Sequence, residues 1–124
     1  MTTLLRAVAA AILIAVPLMA HAGQPYDAKA FAEAQEAGKS ILVDVHASWC
    51  PTCAQQKPII ESLEKANPTL MVFLVDFDTA KDALKRFRVQ YQSTLIVFKG
   101  KAEVARSTGD TDPQVIGALV AKAQ

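Results

Sequence analysis

Ile41-Leu42-Val43-Asp44-Val45-His46-Ala47-Ser48-Trp49-Cys50-Pro51-Thr52-Cys53 joins an apolar run to a pair of cysteines, and the rest of the chain can be read outward from it. Ile41 to Val45 has the length and apolarity of a strand covered on both faces, with one carboxylate inserted at Asp44. After Cys50 the pattern changes. Pro51 suits the first turn of a helix and Asn67-Pro68 closes it, so a helix is predicted over 51–66, with Pro58 kinking its interior. Cys50 therefore stands where a buried strand meets a helix start, and the free N–H groups and dipole of that start favour a thiolate. Cys53 lies one turn further in, more shielded and within reach of the first sulfur.

On the N-terminal side, Asp27 is placed to cap a helix running to Ala37, which Gly38 can end. On the other side, Leu70 to Val75 is a second continuous apolar run of strand length. Ala80, Ala83, Leu84 and Phe87 then recur at helical spacing, and Leu95 to Phe98 resumes strand character. Lys99-Gly100-Lys101 gives a tight turn into Ala102–Ser107. Asp112 and Pro113 open a last helix whose inner face is expected to hold Val115, Ile116, Leu119 and Val120. The predicted order α-β-α-β-α-β-β-α makes a central sheet with helices on both faces.

The 124-residue chain is 52% hydrophobic and 20% charged, which suits one globular domain. Its start differs from the rest. Arg6, the apolar stretch Ala7 to Ala20 and the small-x-small triplet Ala20-His21-Ala22 have the layout of a secretory signal peptide, so residues 1–22 are expected to be removed and 23–124 to form the domain. The apolar run is shorter than a bilayer span and contains Pro17, so no membrane segment is expected after cleavage, and the product is expected to be periplasmic or secreted. The chain has 13 Lys and Arg against 12 Asp and Glu, and Arg6 falls in the leader, so the domain is formally neutral. No net field draws it to nucleic acid, and Lys81, Lys85, Arg86 and Arg88 read as the solvated face of a helix.

A Cys-x-x-Cys pair serves several chemistries. Structural zinc needs four ligands, and outside the leader only Cys50, Cys53 and His46 are of the Cys or His type. Covalent haem attachment needs His after the second Cys, where Ala54 stands. A redox pair passes both tests; an inert staple remains as the structural alternative, although so short a loop gains little stability. Soft-metal binding, a copper carrier using Cys50 and Cys53 with help from His46, is the rival function; no metal site and no cofactor is expected under the redox reading. Asp44, buried in a central strand, should have a raised pKa and is placed to take a proton from Cys53 during attack; the alternative is a carboxyl satisfied by backbone or water. Trp49 offers a flat apolar contact beside Cys50 or is simple packing, and His46 is a proton relay, a soft ligand or a packed strand-end residue.

These residues together resemble the thioredoxin family. Ile41-Leu42-Val43-Asp44, Ala47, Trp49-Cys50-Pro51-Thr52-Cys53 and Pro58 stand at the family's relative spacings. Val75, Asp78, the Thr94 to Lys99 strand and Gly109 continue the match without gaps. The resemblance implies an α/β thioredoxin fold, with a central mixed sheet of about four strands, helices on both faces, and a first edge strand that is missing or very short. It implies that Cys50 attacks, Cys53 resolves and Asp44 accepts the proton, in a thiol-disulfide oxidoreductase acting on client proteins. Trp49, Gln92, Ser93 and Gly109 fall at the family's substrate groove.

Two departures stand out: Ser93 occupies the place of a cis-proline, and Leu74 that of a lysine facing the buried aspartate. A trans Gln92–Ser93 bond is expected, because a cis bond before a non-proline residue costs about 2.5–4 kcal/mol. Ser93→Pro is accordingly expected to raise activity on a general disulfide substrate and to lower affinity for Cu(I) or Zn(II). By analogy with small periplasmic relatives, the expected role is that of a monomeric reductant fed by a membrane thiol-disulfide transporter.

Overall fold

The computed structural model describes residues 23–124; the expected leader lies outside the described residues. Nine elements follow in the order β1 Gln24–Pro25, α1 Ala28–Glu36, β2 Ser40–His46, α2 Pro51–Ala66, β3 Leu70–Asp76, α3 Lys81–Phe87, β4 Thr94–Lys99, β5 Ala102–Thr108 and α4 Pro113–Ala121. Local chemistry sets the helix starts. The Asp27 carboxylate accepts the Ala30 N–H at 2.8 Å, and the Asp112 carboxylate accepts the Gln114 N–H at 2.8 Å ahead of Pro113. Gly38, at φ 67°, turns the chain from α1 into β2.

The sheet order is β1-β3-β2-β4-β5, with β2 parallel to β3 and antiparallel to β4. The mixed sheet has five strands, one more than the expected four or so. The extra one, β1, is a two-residue edge that pairs Gln24 with Phe73 and Pro25 with Leu74 through backbone alone. Alternation along β2 divides the core. Ile41, Val43 and Val45 pack with Phe31, Phe73, Phe87 and Phe98 under α1 and α3. Leu42 packs with Ile60, Val72, Leu95, Ile116 and Val120 under α2 and α4. On the first face Phe31 meets Phe73, Phe87 and Phe98 edge-on, with ring centroids 5.2 to 5.5 Å apart, the favoured aromatic geometry. Val115 departs from expectation: it is exposed, because α4 turns Ile116, Leu119 and Val120 inward and the stripe passes Val115 by.

Asp44 stands two residues beyond Leu42 and so belongs to the α2 and α4 face, at the end of β2 that leads to the cysteines. Its Cα partners are Leu74 on β3 and Leu95 on β4, so the carboxyl rises from the most apolar part of the sheet.

Candidate active site

Cys50 is the N-cap of α2, with extended backbone at φ −86° and ψ 107°, and its Sγ accepts the Cys53 N–H at 3.1 Å. The sulfur thus takes the capping place that Ser or Asp fills elsewhere, and the helix start that holds it also stabilises a thiolate once the bond is reduced. Cys50 and Cys53 are joined as a disulfide with their Cα atoms 5.3 Å apart. Cys50 is 3% exposed and Cys53 7%, so Cys53 is not the more shielded of the two. In this oxidised pair the helix end, not exposure, distinguishes the two sulfurs.

A cavity of about 360 Å³ lies under the disulfide, lined among others by Asp44, His46, Cys50, Cys53, Lys57 and Leu74. Asp44 is 8% exposed, and burial pushes its carboxyl up to about 6, with the nearby His46 pulling weakly the other way. A carboxyl with a raised pKa therefore shares one cavity with both sulfurs. A second hollow, of about 470 Å³ and lined by Arg86, Arg88 and Arg106, contains neither cysteine. There Arg86 donates to the Tyr26 hydroxyl at 2.9 Å and lies over the Phe31 ring, so part of the expected solvated face is a packed guanidinium. Among the described residues, no group of three or more His, Cys, Asp or Glu side chains is placed to hold a metal ion.

Trp49 is 56% exposed beside Cys50, and its indole N–H donates to Asp78 Oδ2 at 2.9 Å. The turn after β3 thus holds the ring, since the Asp78 N–H is itself bonded to Asp76 Oδ1 at 2.8 Å. That backbone bond is the main reason the Asp76 carboxyl lies below its ordinary range.

The Gln92–Ser93 bond is trans, and Ser93 is held in the left-handed region at φ 57°. Its N–H donates to the Val45 carbonyl at 2.8 Å, and its carbonyl accepts the Gly109 N–H at 3.0 Å. Ser93 and Gly109 are therefore neighbours, joined across the end of the β4–β5 ladder, and Gly109 supplies the positive φ of 82° that this corner needs. Gln92 is half-buried and makes none of the described backbone hydrogen bonds, while Tyr91 beside it is exposed. Two neighbours were not singled out from the sequence for these roles. Asp78 anchors Trp49, and Gln56, one helical turn after Cys53, donates from Nε2 to the carbonyls of Ser93 at 3.2 Å and Asp110 at 2.9 Å. A polar residue on the buried stripe of α2 was the available signal for Gln56.

A mixed sheet flanked by helices, with a disulfide at a helix start above a buried carboxyl, defines a protein of dithiol-disulfide exchange. The thioredoxin family model matches residues 24–122, and the chain belongs to the thioredoxin family. It is 34% identical over 89 residues to the H-type thioredoxin of Fagopyrum esculentum, covering 72% of this chain and 76% of that one. Identity to the thioredoxin of Chlamydia trachomatis is 33% over 84 residues, covering 68% and 82% of the two chains. Among solved structures, Trxlp from Edwardsiella tarda matches at a TM-score of 0.75 and 45% identity, covering 78% of this chain and 96% of that one. The chain is a thioredoxin-like thiol-disulfide oxidoreductase with Cys50–Cys53 as its redox pair.

Proposed function

We propose that this oxidoreductase is an exported reductant of client-protein disulfides, with Cys50 as nucleophile, Cys53 as resolving thiol and Asp44 as proton acceptor. The observation that carries the assignment of roles is the Cys50 sulfur in the capping place of α2, over a cavity that also holds the buried Asp44 carboxyl. In the reduced protein the Cys50 thiolate attacks one sulfur of a client disulfide, and the client's other sulfur leaves as a thiolate. Cys53 then gives its proton to Asp44 and attacks Cys50 Sγ; the mixed disulfide breaks, the second client thiolate leaves, and the Cys50–Cys53 bond forms. A donor dithiol restores the pair by the same exchange in reverse.

Export is supported by the signal-peptide pattern of residues 1–22. In an oxidising compartment that lacks a reducing thiol pool, the donor that fits is a membrane thiol-disulfide transporter. Trp49, Gln92, Ser93 and Gly109 would supply the face on which an extended client segment lies, a reading supported by the Gly109–Ser93 bond and by the backbone groups of Gln92, which make none of the described hydrogen bonds. Insulin disulfides driven by dithiothreitol provide the test. The parent should reduce them, Cys50→Ser should have no activity, and Cys53→Ser should accumulate a mixed disulfide with the client. A Cys50→Ser variant with parental activity would remove the basis of the proposal.

A further inference from the structure

Gln56 is 1% exposed, in the interior of a helix whose neighbouring core is apolar. A buried amide costs stability unless its polar atoms are bonded, and here the Oε1 atom has no partner among the described residues. A hydrophobic residue of the same length would fill the place without that cost, so packing does not account for a glutamine. What it uniquely contributes is the pair of donors on Nε2, which reach two separate loops: Ser93 O at 3.2 Å and Asp110 O at 2.9 Å. Both acceptors are main-chain carbonyls, so the orientation of the amide follows from them.

Cys53 and Gln56 are three residues apart on α2 and face the same side. One side chain thereby fixes the Ser93 and Asp110 loops relative to the turn of helix that carries the resolving sulfur. The Ser93 carbonyl has two donors, Gln56 and the Gly109 N–H, and the Ser93 N–H is bonded to Val45. With all of Ser93's main-chain groups engaged, the loop is held in its left-handed, trans conformation from three sides. Gln92, one residue away, keeps its main-chain groups free.

We propose that Gln56 is a positioning residue for client binding: it clamps the Ser93 loop to the disulfide-bearing helix and so sets where the client's main chain lies relative to Cys50 and Cys53. The proposal rests on the reading of the 92–93 segment as the client-pairing strip. A clamp of this kind acts on a substrate long enough to span the strip, not on a small disulfide that meets the sulfurs alone.

Gln56→Met, which keeps length and apolar bulk but removes both donors, tests this in the whole protein. The expected result is a KM for insulin raised at least fivefold, with kcat and the rate toward the small disulfide 5,5′-dithiobis(2-nitrobenzoate) within twofold of the parent. A loss shared by both substrates, a change confined to kcat, or no change overturns the proposal. Absence of insulin reduction by the parent would instead overturn the functional reading, so the two failures are distinct. If Gln56→Met does not fold, NMR of Cys53→Ser trapped as a mixed disulfide with a client peptide gives the answer. The Gln56 side-chain amide signals should shift on trapping, and unmoved signals overturn the clamp.

Discussion

The surroundings of Asp44 raise the pKa of its carboxyl. Flanked by Leu74 and Leu95 in register, the carboxyl is held at about 6, above the ordinary 3.8, so ionising it is harder in the folded chain than in the unfolded one. The folded state therefore loses stability as pH rises from about 4 through 6, and the loss is complete above that range. Asp44→Asn should remove the penalty. We expect the variant to be more stable than the parent by about 2–3 kcal/mol at pH 7 and to show no gain below pH 4, by urea unfolding at both pH values. Disulfide exchange at pH 7 should slow at the same time, because Cys53 loses its proton acceptor. A variant that is less stable at both pH values and exchanges at the parental rate would make Asp44 a structural residue.

At the scale of elements, the β2–α2 junction was legible because each of its signals is local. A continuous apolar run gives the strand, Pro51 the first turn, and the two cysteines at a spacing of three fall on that turn. The caps at Asp27 and Asp112 were legible for the same reason. β1 left almost no sequence signal because its two residues join the sheet by backbone pairing, without an apolar pattern of their own. The partners of Gln56 were not legible because they lie 37 and 54 residues away, and only the closed fold brings those carbonyls over α2.

The geometry of the Ser93 loop argues against one expectation at this scale. Restoring proline was expected to raise activity, but proline is fixed near φ −65° and has no N–H, whereas Ser93 sits at φ 57° and donates to Val45 at 2.8 Å. Ser93→Pro should cost more than about 1 kcal/mol of stability, measured by thermal or urea unfolding, and should lower client turnover. A variant as stable as the parent would show that the loop readily adopts another conformation.

The whole molecule places its chemistry at one end of the sheet, where β2, the turn after β3 and the loop before β4 converge around Cys50 and Cys53. This end is supported by two separate cores, the aromatic cluster under α1 and α3 and the aliphatic one under α2 and α4. At the start of the described residues, Gly23 has φ 68°, and a Cβ there would lie 3.0 Å from the Leu74 side chain, so the entry into β1 favours glycine. Under the proposed export, the processed chain should begin at or next to Gly23, checked by its intact mass; a product that keeps residues 1–22 would contradict processing at Ala22.

Whether the Cys50–Cys53 pair works as a reductant is decided by its equilibrium potential in glutathione buffers, read by alkylation of the free thiols. A reductant should show a value at or below about −270 mV, on the reducing side of the roughly −220 to −260 mV glutathione poise. A value near about −120 mV, in the range of strong disulfide donors, would contradict it.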